Sequence, residues 1–246
     1  MNNRPRIIEL VGLAGTGKST LVKSMGQRNH EIRIFPLPKI RLFWSLTKRS
    51  GLWLPLWLQR YRLPKRFTRE ELLSTACIDA WLPYLRLKTS TSANIVLLDP
   101  GSVYWLTKLQ VIGSKMNEQS GYRRWWEDKF EQWSSALDVI IWLDAPEELC
   151  LQRVLAREEW HHAKHMEAND VLERFRGLRK SYEQIISRMV ARQPKKVFCF
   201  RTDQISTEEM VDRIFSEVDL TPRCEPQTHK TGISNEAPGS ATQPSI

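Results

Sequence analysis

Apolar residues in this chain gather in short unbroken runs, and each long run ends at a glycine, a proline or an aspartate. Ile7, Ile8, Leu10 and Val11 stop at Gly12. Ile95, Val96, Leu97 and Leu98 stop at Asp99-Pro100-Gly101, and Val139 to Leu143 stop at Asp144. Runs of this kind suit parallel strands covered on both faces. The pattern predicts strands over residues 6–11, 94–99 and 138–144, with shorter ones over 30–35, stopped by Pro36 and Pro38, and 197–200. Helical periodicity fills the intervals. Helices are expected from Gly17 to about Gln27, over 69–81, twice within 102–135, over 146–158 behind Pro146, over 170–192, and after Ser206. Thr68-Arg-Glu-Glu71 has the form of a capping box, with Leu72, Leu73, Ala76 and Ala80 on one face behind it, and Ser206 with Glu209 forms a second cap.

Five strands each followed by helix predict an α/β three-layer sandwich around a parallel five-stranded sheet, joined by right-handed crossovers. One domain is expected over residues 1–220. From Thr221 the chain holds four prolines and no aromatic residue, so 221–246 reads as a disordered tail. No apolar run approaches the ~20 residues that cross a bilayer, and the opening Met-Asn-Asn-Arg-Pro-Arg leads straight into a strand. A cytoplasmic protein is expected. Cys77, Cys150, Cys199 and Cys224 form no Cys-x-x-Cys pair, and three of them lie in segments that read as buried, which fits free thiols and no structural zinc.

The first strand leads into Gly12-Leu13-Ala14-Gly15-Thr16-Gly17-Lys18-Ser19, a complete Gly-x-x-x-x-Gly-Lys-Ser P-loop followed by a helix. The glycines permit backbone that turns successive N–H groups inward on phosphates, and the helix N-terminus adds positive potential there. Lys18 supplies charge for the β- and γ-phosphates, Ser19 offers its hydroxyl to Mg²⁺, and Thr20 begins the helix behind. ATP and Mg²⁺ are the expected cofactors. Asp99, at a strand end neighbouring the P-loop, reads as the second carboxylate, either within the Mg²⁺ shell or as base for an acceptor; the bland alternative is a turn with Pro100 and Gly101. Asp144 reads equally as a helix N-cap or as a catalytic group. Arg153 and Arg157, one turn apart, share a helix face and could clamp a transferring phosphoryl group. His161 and His165 have the spacing of a helical metal pair, but no third ligand completes it, so residues 158–169 read as a polar lid.

These features together resemble the thymidylate kinase and deoxynucleoside kinase group of P-loop kinases: the P-loop, the aspartate ending strand three, Leu143-Asp144-Ala145-Pro146, the two arginines ahead of a lid, and Tyr182. The resemblance spans about residues 6–217. It implies strand order 2-3-1-4-5, phosphotransfer from ATP to a small acceptor of nucleoside or nucleotide kind, and a phosphate-clamping role for Arg153 and Arg157. Two features depart from the group. Pro36-Leu37-Pro38 stands where deoxynucleoside kinases carry a glutamate, and Asp99 is followed by Pro-Gly where the group has an arginine.

Charge adds one more region. The net charge is +9, and from Ile32 to Arg69 there are ten Lys or Arg and no Asp or Glu. Within 36–68, Phe43, Trp44, Trp53, Trp57, Tyr61 and Phe67 are interleaved with Arg41, Lys48, Arg49, Arg60, Arg62, Lys65 and Arg66. This reads as a cover over an anionic or polar acceptor, as a peripheral patch for an anionic membrane through residues 40–66, or as packing with a solvated basic face. No nucleic-acid reader motif accompanies it. Neither the Asn-Lys-x-Asp of GTPases nor the Leu-Ser-Gly-Gly-Gln of ABC ATPases occurs. A small-acceptor kinase leads, with a nucleotide-dependent switch or membrane-surface protein, or a kinase of sugar or lipid-linked acceptors, as the alternative; a homodimer stays open.

Overall fold

The sheet has five parallel strands in the order β2-β3-β1-β4-β5. A computed structural model describes residues 5–34, 68–88, 95–112, 120–158 and 161–218. The strands are β1 (Arg6–Val11), β2 (Ile32–Ile34), β3 (Ile95–Leu98), β4 (Val139–Asp144) and β5 (Lys196–Arg201). The helices are α1 (Lys18–Arg28), α2 (Arg69–Lys88), α3 (Ser102–Ile112), α4 (Ser120–Ala136), α5 (Glu147–Leu155), α6 (Ala168–Arg192) and α7 (Thr207–Val218), with a 3₁₀ turn over His162–His165. The three-layer α/β sandwich is as the sequence pattern predicts, and the strand order is the one the resemblance implies.

Alternation along the strands divides the core in two. Ile8, Leu10, Ile95, Leu97, Val139 and Ile141 pack beneath α1 and α7. Ile7, Val11, Val96, Leu98 and Ile140 face α2 to α6, where Trp133, Phe130, Tyr182 and Leu85 are fully buried. Both sheet faces are therefore dry, which is why the central strands read as unbroken apolar runs.

Both predicted caps form. The Glu71 N–H donates to Thr68 Oγ1 at 3.2 Å, Glu71 Oε2 accepts from the Thr68 N–H at 2.6 Å, and Ser206 Oγ accepts from the Glu209 N–H at 3.2 Å. Three helix expectations need correction. α2 runs through Pro83 to Lys88, not to Trp81, because Tyr84 and Leu85 beyond the proline are buried and their packing outweighs one lost N–H. On α2, Ala76 and Ala80 are buried as expected but Leu73 is 39% exposed. α5 stops at Leu155 instead of 158, and the Arg157 N–H turns back to Val154 O at 3.4 Å. Among the cysteines, Cys77 and Cys150 are buried free thiols, whereas Cys199 is exposed. Residues 36–67, 159–160 of the expected lid, Cys224 and the tail 221–246 lie outside the described residues. No helix among the described residues is long and apolar enough to cross a membrane.

Candidate active site

β1 ends in the middle of the sheet, and the chain turns at once into α1, so the P-loop lies above the carboxyl ends of β1 and β4. Gly12, Gly15 and Gly17 hold φ of 146°, 89° and 87°. At Gly12 both conformation and space demand glycine, since a Cβ there would lie 2.3 Å from the Leu143 carbonyl oxygen. Thr16 is fully buried and its hydroxyl donates to Leu13 O at 2.9 Å, tying the loop across itself. Ser19 and Thr20 are exposed at the first turn of α1, while Leu13 is buried and Ala14 half-buried.

Lys18 folds back over the loop and donates to the carbonyls of Gly12 and Leu13, each at 2.8 Å. Burial pushes its ammonium down to about 8, the Asp99 carboxylate opposes this, and the positive charge of Arg157 adds to it. Asp99 follows β3 directly. Burial raises its carboxyl above the usual range, and Lys18 pulls it back. Lys18, Asp99 and Arg157 therefore lie within one electrostatic neighbourhood at the mouth of the P-loop.

Arg153 is placed differently. Its guanidinium donates to Gly15 O at 3.4 Å, to Thr202 Oγ1 at 3.2 Å and to Thr202 O at 3.3 Å. It ties the P-loop to the turn after β5. Because α5 ends at Leu155, Arg157 leaves the helix and the expected shared face of the two arginines does not form. Arg157 is exposed, and its carbonyl accepts from Lys164.

Asp144 is not the N-cap. α5 is opened by Pro146 without a side-chain cap. Asp144 Oδ1 instead pairs with Arg179 Nη2 of α6 at 2.8 Å, and Glu147 Oε1 takes Arg179 Nη1 at 2.9 Å. The partner stands 35 residues downstream, beyond the reach of any local pattern. His161 and His165 do not sit on one α-helix, so the expected helical spacing does not form. His161 precedes the 3₁₀ turn and its Nδ1 accepts from the Ala163 N–H at 3.1 Å, while His162 Nδ1 contacts Met166 Sδ at 3.1 Å. Burial, with Arg157 second, lowers the His161 pKa and favours its neutral form. No group of three metal-ligating side chains occurs among the described residues.

Sequence reading missed Glu9. It sits among the apolar residues of β1, is fully buried, and faces α3. Glu9 Oε2 accepts from Ser102 Oγ at 2.9 Å and the Val103 N–H at 3.0 Å, and Oε1 accepts from the Tyr104 N–H at 3.1 Å. One carboxylate thus caps the start of α3 from inside the sheet, beside the loop that carries Asp99. Burial pushes its carboxyl up to about 7 against the opposing pull of those three donors. Gly101 is the only residue type that fits above it, since a Cβ would lie 2.4 Å from Glu9 Cδ. The signal was present in the sequence as a charge inside a strand covered on both faces, which must find partners.

Beside the P-loop opens a cavity of about 190 Å³. Gly12, Leu13 and Ala14 line it together with Tyr104 and Lys108 of α3, Val171, Arg174, Phe175, Leu178 and Tyr182 of α6, Glu70 of α2, His161 to Ala163 and Met166. Tyr182 is fully buried, and burial, then the charges of Tyr104, Glu9 and Asp99, raises its phenol well above 10, opposed by a hydrogen bond from the Gly12 backbone.

No protein-family model matches this chain, and no curated protein matches it in sequence. Solved structures do share its fold. Deoxyadenosine kinase from M. mycoides with the products dCMP and a flexible dCDP bound superposes at a TM-score of 0.55 and 16% identity, covering 87% of this chain and 98% of the other. The same enzyme with bound dATP gives 0.53 at 15% identity, over 87% and 99%, and with bound dCTP 0.52 at 15%, over 87% and 98%. At this identity the likeness is one of fold: the chain shares the three-layer α/β sandwich of these structures.

Proposed function

We propose that this chain is an ATP- and Mg²⁺-dependent phosphotransferase of P-loop kinase type, acting on a small polar or anionic acceptor of nucleoside or nucleotide kind. The observation that carries the reading is the P-loop itself, three positive-φ glycines with Lys18 folded back over them, opening at Gly12 to Ala14 onto a cavity lined by Tyr104 and Tyr182, with Asp99 in the field of Lys18. The fold shared with a deoxyadenosine kinase supports the acceptor class.

The loop fits a triphosphate. Its three left-handed glycines shape a cradle that a Cβ at Gly12 would fill, and the N-terminus of α1 opens onto it. ATP with Mg²⁺ supplies the γ-phosphoryl group and offsets its charge. Main-chain N–H groups of the loop would cradle the phosphates, and Lys18 would exchange its two carbonyl partners for phosphate oxygens. The exposed hydroxyl of Ser19 would serve the metal side, with Thr20 completing the first turn behind it. Asp99, half-buried and with its pKa raised, is suited to take the proton of an acceptor hydroxyl. Arg157 stabilises the transferring group from the lid side, and Arg153 holds the P-loop to the turn after β5.

Lys18→Ala should lower ATP-dependent phosphorylation by about 10²–10³-fold or more, measured as ATP consumption against nucleosides, monophosphates, sugars and lipid phosphates. Undiminished transfer by that variant overturns the assignment. The alternative of a membrane-surface or switch protein rests on residues 40–66, which lie outside the described residues.

A further inference from the structure

The cavity has a charged rim that holding ATP does not require. Lys108 Nζ on α3 and Arg174 Nη2 on α6 each lie 3.6 Å from the same oxygen, Oε2 of Glu70 in the first turn of α2. Two cations around one carboxylate leave a positive charge in excess among the described residues of the rim. At 3.6 Å neither contact is a good hydrogen bond, so Glu70 is held by charge alone. Its side chain is 45% exposed and can turn to water at small cost.

Tyr104 connects this rim to the P-loop. It lines the same cavity as Gly12 to Ala14, Glu70 and Arg174, and its phenol feels the charges of Arg174, Glu70 and Asp99. Lys108 stands four residues further along α3, on the same face. A molecule lying in this cavity along Tyr104 would therefore meet the P-loop, where Asp99 stands in the field of Lys18, and the two cations of the rim, with the apolar side chains of Met166 and Phe175 beside it.

We propose that the acceptor bears an anionic group of its own, a phosphate monoester, which Lys108 and Arg174 hold in place of Glu70 while its hydroxyl lies toward Asp99. The inference rests on the phosphotransfer reading above. In the transfer the acceptor oxygen bonds to the γ-phosphorus, and the bond from that phosphorus to the β–γ bridging oxygen breaks. The bridging oxygen leaves with the electron pair as ADP, and the hydroxyl proton passes to the Asp99 carboxylate. The product is the acceptor with two phosphate groups. Arg174 and Lys108 act as a paired clamp, since a guanidinium and an ammonium from two helices fix both the charge and the direction of a phosphate.

The test is calorimetric titration of the full chain, its P-loop first saturated with a non-hydrolysable ATP analogue and Mg²⁺. The probes are matched pairs: ribose and ribose 5-phosphate, glycerol and glycerol 3-phosphate, deoxyadenosine and dAMP, deoxycytidine and dCMP. In at least one pair the phosphorylated member should bind about tenfold tighter or more, and Lys108→Ala and Arg174→Ala should each remove about that factor while leaving analogue affinity and melting temperature unchanged. Glu70→Gln should retain or strengthen the binding. The proposal is overturned if no phosphorylated member binds, if no pair is discriminated, or if both cation variants bind as the native chain does. Failure of the analogue itself to bind would instead sink the phosphotransfer reading, so the two outcomes are separate.

Discussion

The donor end and the acceptor end of this site are built from different materials. Around the proposed triphosphate position the chain works with its backbone: left-handed glycines, the end of α1, and one lysine parked on two carbonyls. Around the cavity it works with side chains that converge from α2, α3, α6 and the 3₁₀ turn, segments spread over about a hundred residues of chain. A backbone cradle admits one geometry and recognises what all nucleoside triphosphates share. A side-chain cavity can be re-lined residue by residue, so specificity resides there.

The largest effect should come from adding one carbon to the donor end. Gly12→Ala places a Cβ 2.3 Å from Leu143 O at a φ of 146°. A loss of about 3 kcal/mol or more of stability is expected, together with loss of ATP binding, read by denaturant unfolding and nucleotide titration. Near-native values for both would show that the cradle is pliable and blur the contrast between the two ends.

Glu9 sits between the ends, and its variant should have a smaller, pH-dependent effect. Glu9→Gln replaces an oxygen that accepts with an NH₂ that cannot, leaving one donor among Ser102, Val103 and Tyr104 unmet. The expected cost is about 1–3 kcal/mol at pH 5. The Glu9 carboxyl titrates ordinarily at 4.5 and in the fold at about 7. Between those values the folded chain holds a proton that the unfolded chain has released, so the stability owed to this group is full below 4.5 and is lost as pH rises through 7. Unfolding free energies from pH 5 to 8 should show the deficit of the Gln variant shrinking as pH rises; a constant deficit would mean that Glu9 does not titrate in that range.

The smallest effects should separate the two arginines. Arg153→Ala removes hydrogen bonds to Gly15 and Thr202 and should cost roughly 1–3 kcal/mol. Arg157→Ala, from an exposed turn, should leave the melting temperature unchanged and lower kcat only. Equal loss of stability in both would contradict the division of labour between anchoring the P-loop and attending the phosphoryl group.

The same contrast in materials explains what could be read from the chain. Gly12 to Thr20 announce themselves because a backbone cradle needs glycines at fixed spacing, and the runs ending at Gly12, Asp99 and Asp144 announce strands because both sheet faces are dry. Asp99 follows from its strand end. By contrast Lys108, Arg174 and Glu70 carry no local signal, since each is an ordinary charge on an ordinary helix until the fold brings them together. Asp144 misleads for the same reason: capping is the local explanation of an aspartate before Ala-Pro, whereas its partner Arg179 lies on α6. The end of α5 at Leu155 was equally hidden, because the residues up to Glu158 have good helical composition and only the turn toward His162–His165 stops them.

The fit of Gly101 over Glu9 bears on how relatives of this chain can diverge. A side chain at position 101 would occupy the space of the Glu9 carboxyl, and a shorter residue at position 9 would leave the start of α3 without its cap. The two positions, 92 residues apart, should thus drift as one: lineages with alanine or larger at 101 should carry a shorter residue at 9 and a cap for α3 supplied from elsewhere.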